Sequence, residues 1–171
     1  YNPMSYHNGS VWPHDNAIIL LGMSRLGMKE EARTVMSGLL RAAAHFEYGR
    51  LPELFCGYDV SSGPPVPYPV ACSPQAWAAA TSVALVRVML GLEPAALDGV
   101  IRLDPSLPPE VGRLTVRNVP VAGGRLSVEV WRESDRAPLQ IRVLESPGGC
   151  RVEIAGTPQD SSVELNGSQT V

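Results

Sequence analysis

The apolar residues of this chain change their spacing once, near Leu92, and that change limits what it can fold into. Up to Leu92 they gather in three segments that read as helices, the second with the three-and-four spacing of a helix face. Beyond it they alternate with polar residues, the repeat of a strand with one packed and one wet face. The spacing therefore predicts a mainly α chain with a β-rich C-terminal tail.

Three segments carry the helical repeat. Residues 13–27 place Ile18, Ile19, Leu21, Met23 and Leu26 behind Pro13, with Gly27 where the helix should end. Residues 29–46 repeat Ala32, Val35, Met36, Leu39, Leu40 and Ala43 as an amphipathic stripe. Residues 73–92 open on Ser73-Pro74-Gln75, with Ser73 as the expected cap, and run almost wholly apolar through Trp77, Val83, Leu85, Val88 and Leu90. A helix apolar on nearly every face is expected to be buried on nearly every face, so its partners should lie outside these helices. Residues 47–72 hold five prolines and read as a loop without structure of its own, long enough to suggest a functional role. Residues 113–119, 125–131, 139–145 and 151–154 alternate and predict one antiparallel meander. The proline-punctuated stretch 104–110 separates a helical portion, 1–110, from a β tail, 111–171.

Composition narrows the function classes. A hydrophobic share of 44% in 171 residues is enough to offset the cost of ordering a chain. No run approaches the ~18 apolar residues of a membrane span, and no cationic segment followed by an apolar core opens the chain. A net charge of −3 argues against a surface built to neutralise phosphates, so no nucleic-acid partner is expected. Cys56, Cys72 and Cys150 have neither disulfide nor zinc spacing and read as free thiols of a cytoplasmic protein. No nucleotide-binding, nucleophile-elbow or zinc-peptidase motif is present, so neither a metal nor a cofactor is expected. The Asn-Gly-Ser triplets at Asn8 and Asn166 match a glycosylation sequon without a secretion signal beside them. Tyr1 and the dense mixture behind it read as the interior of a longer chain.

Three segments concentrate chemistry. Residues 6–16 hold Tyr6, His7, Trp12, His14, Asp15 and Asn16 ahead of a helix. Aromatic faces stack on sugar rings, while Asn, Asp and His hold hydroxyls through directional hydrogen bonds. The alternative is that Asp15 and Asn16 cap the helix and Trp12 fills the core. Residues 50–57 set Glu53 among apolar neighbours with Arg50 nearby, an environment able to tune a base. The alternative is an Arg50–Glu53 ion pair that anchors the loop. Residues 67–77 deliver Gln75 and Trp77 to another helix N-terminus, as pocket walls or as cap and core anchor.

The stretches YNPMSYHNGSVWPHDNAIILLG, RLPELFCG and PVPYPVACSPQAWAAA resemble the C-terminal part of the catalytic domain of bacterial glycogen-debranching-enzyme-like proteins, relatives of amylo-alpha-1,6-glucosidase. The resemblance covers roughly residues 1–110. It implies a partial (α/α)6 toroid, and inverting hydrolysis of an α-glucosidic linkage in an oligosaccharide or α-glucan by two carboxylates. It implies that Glu53 is the base and that the acid comes from an earlier hairpin upstream in the same polypeptide, leaving these residues alone inactive. Asp15 is the second catalytic candidate, and His7, Trp12, Gln75 and Trp77 are candidate substrate-binding groups. Two rival expectations stand beside it: a toroid that binds carbohydrate without cleaving it, and a toroidal glycosidase for a trehalose- or sucrose-type substrate.

Overall fold

A computed structural model describes residues 1–134, 137–155 and 168–170. The chain divides into two compact units, Tyr1–Val86 and Arg87–Val171.

In the first unit, helix α1 (Pro13–Arg25) and helix α2 (Lys29–Ala43) form a helical hairpin. Pro13 occupies the first turn of α1, where its missing N–H costs nothing. Gly27 closes the helix at φ 72°, a left-handed conformation that a side chain would oppose. The α2 stripe Ala32, Met36 and Leu39 is buried, and Leu20 and Met36 are fully enclosed. Asp15 and Asn16 do not cap α1 through their side chains. Trp12 stands at the N-cap, and Asn16 Nδ2 turns back to its carbonyl at 2.8 Å.

Residues 47–72 are more structured than expected. They contain two short 3-10 turns and a ribbon of β1 (Phe55–Cys56) antiparallel to β2 (Val66–Pro67). Phe55 also forms a bridge with Val11, through N–H to O bonds of 2.8 and 3.0 Å, which places the segment before α1 against the one after Glu53. Two-residue strands exist only through their partners, so no periodicity announces them.

Helix α3 (Ala76–Leu90) starts three residues later than expected. Its first hydrogen bond runs from Ala79 N–H to the Gln75 carbonyl, so Ser73 is not the cap. Thr81 and Leu85 are buried, but Trp77 is 66% exposed and Val83 72%. The expectation of burial on nearly every face fails: Val83 stands open, and His14 of α1 covers only part of Trp77.

In the second unit the strands are β3 (Glu93–Ala95), β4 (Val100–Leu103), β5 (Arg113–Val121), β6 (Gly124–Trp131), β7 (Gln140–Glu145), β8 (Arg151–Ile154) and β9 (Ser168–Thr170). One antiparallel sheet has the order β5-β6-β7-β9 and buries Leu126, Val128, Val130, Ile141 and Val143. Ala122 and Gly123, both at positive φ, make the tight β5–β6 turn. The expected meander is therefore right for three strands. The fourth, β8, instead lies parallel to β4 in a separate sheet of order β3-β4-β8. Val152 and Ile154 there are buried, as are Ile101 and Leu103 of β4.

The architecture is not a partial (α/α)6 toroid. The described residues form three α-helices, a two-stranded ribbon and two small sheets, and only α1 and α2 form a helical hairpin. The chain leaves α3 directly for β3 and β4, so no second hairpin is built. A ring of hairpins needs successive helix pairs, and the helical repeat in this sequence ends after three segments.

Candidate functional site

Glu53 lies at the meeting point of three distant stretches. Its backbone N–H donates to the Cys72 carbonyl at 2.9 Å, and the Cys72 N–H returns a 3.0 Å bond to Glu53 Oε2. The Tyr6 hydroxyl donates to Oε1 at 2.7 Å, and the Gln75 amide makes a smaller contribution to holding the negative charge. Glu53 is 9% exposed. The Cys72 amide and then the Tyr6 hydroxyl hold its pKa below the ordinary glutamate range, against the opposing effect of burial. Conversely the carboxylate pushes the Tyr6 phenol above its ordinary value, so Tyr6 stays a neutral donor.

Arginine plays no part in this. The Arg50 guanidinium lies over the Tyr48 ring at 5.3 Å, and the expected alternative of an Arg50–Glu53 ion pair is not formed. Hydrogen bonds alone hold the anion. This differs from the tuning by a nearby cation that the sequence suggested.

An aromatic cluster adjoins the carboxylate. Tyr6 meets Trp12 edge-to-face at 4.7 Å, His7 at 4.8 Å and Tyr68 at 5.6 Å. Trp12 donates its Nε1–H to the Tyr6 carbonyl at 2.9 Å and stacks nearly parallel to His7 at 5.9 Å. His14 touches Trp12 at 5.7 Å and Trp77 at 4.9 Å. Trp12 is thus engaged by several protein groups and braces the cluster, whereas Trp77 leaves most of its surface free. Of the two indoles, Trp77 is the better placed to receive a ring from outside.

The structure thereby connects most of the candidates. Gln75 helps to hold the Glu53 charge, Trp12 and His7 reach Glu53 through Tyr6, and Trp77 joins through His14. Asp15 joins through His14 as well: its exposed carboxylate lies 3.0 Å from His14 Nε2, at the outer end of the network, with no direct contact to Glu53 among the described residues. His14 Nδ1 and Gln75 Oε1 are buried without partners, two open hydrogen-bonding positions in one neighbourhood.

Sequence reasoning singled out neither Tyr6 nor Cys72 as a site residue. Tyr6 could have been found, as a hydroxyl-bearing aromatic beside His7. Cys72 acts through its main-chain amide, which no residue type reveals.

Two hollows flank this unit. One, of about 610 Å³, is lined by Val11, Leu39, Ala42, Phe55, Cys56 and Pro64 among others. The other, of about 300 Å³, includes Pro52, Tyr68 and Ser73. Glu53 lines neither. Among the described residues no group of three His, Cys, Asp or Glu side chains could hold a metal ion, and no helix is long and apolar enough to cross a membrane. The Asn166 sequon lies outside the described residues. No protein-family model matches the chain, and no curated protein is significantly similar to it.

Proposed function

We propose that Tyr1–Val86 carries the general base and part of the sugar-binding wall of an inverting glycoside hydrolase acting on α-glucosidic linkages of oligosaccharides. The observation that carries this reading is Glu53, a buried carboxylate kept ionised by an amide and a phenol beside an aromatic cluster. A base must be an anion at working pH and must be oriented toward the water it activates. The resemblance of the three motif stretches supports the same substrate class.

In this reading Glu53 takes a proton from a water that attacks the anomeric carbon. A carboxylic acid on the opposite side, about 6.5–9.5 Å away, protonates the leaving oxygen. The resemblance puts that acid elsewhere in the same polypeptide, and Asp15, an exposed carboxylate 3.0 Å from His14 Nε2, is the second catalytic candidate. Trp77 offers an apolar face for a pyranose ring, and His7 and Gln75 offer hydroxyl partners.

The test is Glu53→Gln in the full-length gene product. Turnover of a branched α-glucan oligosaccharide should fall by about 10²–10⁴-fold, the range of general-base catalysis, while calorimetric sugar binding persists. Wild-type turnover by the variant would remove Glu53 from the chemistry. The rival reading is a protein that binds carbohydrate without cleaving it, a role for which the open Trp77 face would serve without a second carboxylate. Sugar binding with no hydrolysis by the full-length wild type would select that reading.

A further inference from the structure

We propose that Tyr6 is the positioning residue of the base: its hydroxyl, held on Glu53 Oε1, locks the rotation of the carboxylate and aims it at the attacking water. The proposal rests on the reading of Glu53 as base and adds the residue that makes it directional.

Each oxygen of Glu53 is held by a different part of the chain. Tyr6 donates to Oε1 at 2.7 Å from 47 positions away, and the Cys72 amide donates to Oε2 at 3.0 Å from 19 positions away. Turning the carboxylate about its last side-chain bond breaks both at once. That torsion is otherwise broad for glutamate, so a lone anchor would leave the group free to swing.

Tyr6 is itself fixed at both ends. Its ring is gripped edge-to-face by His7, Trp12 and Tyr68, and its own carbonyl accepts the Trp12 indole N–H at 2.9 Å. The hydroxyl is thereby delivered by a braced ring, the arrangement that preorganises a group for a reaction. The same ring couples the base to the aromatic wall.

The titratable groups facing Glu53 are the Tyr6 phenol and the Cys72 thiol, with Tyr68 beside Tyr6 and His7 against its ring. Among the described residues no cation pairs with Glu53. Removing the phenol hydroxyl should leave the anion with one anchor fewer and no charge to replace it.

The experiment is Tyr6→Phe, which keeps the ring and deletes the donor. With carboxyl-labelled glutamate, carbon NMR of this chain should show the Glu53 titration midpoint moved upward. In the full-length enzyme kcat should fall at least about tenfold with KM changed less than about twofold, and the acidic limb of the rate profile should rise with the midpoint. A residue that served packing alone would leave that limb in place. If the phenylalanine variant misfolds, 3-fluorotyrosine at position 6 keeps the shape and strengthens the donor, and should move the midpoint downward. An unmoved midpoint in both proteins overturns the role of Tyr6, whatever Glu53 does. A moved midpoint in a protein whose Glu53→Gln variant is fully active leaves the hydrogen bond in place and overturns the positioning of a base.

Discussion

Replacing Gly57 with alanine should loosen the strip that carries Tyr6, and the structure states by how much. A Cβ built at Gly57 lies 1.8 Å from the Gly9 carbonyl oxygen and 3.0 Å from both the Gly9 carbonyl carbon and the Tyr1 hydroxyl oxygen. Reaching even the 3.0 Å floor of real Cβ contacts requires the Gly9 backbone to retreat by about 1.2 Å. That backbone cannot yield freely. Gly57 N–H is bonded to the Pro3 carbonyl at 2.9 Å, Tyr1 donates to the Gly57 carbonyl, and Val11 is bridged to Phe55 just beyond. Overpacking of this kind costs about 1–3 kcal/mol. Gly22→Ala is the matched control: the same atom added inside α1 meets nothing within 4 Å and should stabilise by about 0.5–1 kcal/mol through helix propensity. Urea unfolding followed by tryptophan fluorescence reports on Trp12 and Trp77 of this unit, with Trp131 of the second unit as a background unchanged between the two variants. With a slope of ~1–3 kcal/mol per molar urea, a loss of 2 kcal/mol lowers the midpoint by about 1 M. The two alanines should move it in opposite directions. A Gly57→Ala midpoint at or above that of Gly22→Ala would refute the close backbone approach as the anchor of the N-terminal strip.

Leu54 is fully enclosed, so Leu54→Ala should cost about 3–4 kcal/mol from lost transfer energy and the cavity left behind, read as a fall in the same urea midpoint. Glu53 should also make stability depend on acidity. Its folded pKa is depressed, so its contribution is present in full above the ordinary glutamate range and is lost as pH falls through the folded value. The stability difference between wild type and Glu53→Gln should therefore shrink as urea midpoints are measured from pH 6 down to pH 3, and a constant difference would contradict the depressed pKa.

How far the sequence revealed the fold depended on whether an element carries its own pattern. Helix α2 is legible because Ala32, Met36 and Leu39 repeat on one face, and β6 because Leu126, Val128 and Val130 alternate. The ribbon β1–β2 and the pairing of β4 with β8 are not, since two to four residues specify a strand only through a distant partner. The toroid came from the resemblance, and no repeat in these residues called for it. At the site, side-chain chemistry pointed to Glu53, Gln75, His7, Trp12 and Trp77, and the chain brings these into one network. The network's own fasteners, a phenol bonded across 47 residues and the main-chain amide of Cys72, are long-range geometry that a linear reading does not contain.

The same long reach sets an order in time. The α1–α2 hairpin closes across the short turn 26–28 and can form while the rest of the unit is still being made. Tyr6 has no acceptor until Glu53 has been synthesised, and the carboxylate has no second anchor until Cys72 follows. Both anchors need chain that lies beyond the two finished helices, so the anion is among the last groups of the unit to be fixed. A bound Glu53 is therefore a marker of completed folding. In a refolding experiment its titration should become native only after the helices have regained their circular dichroism.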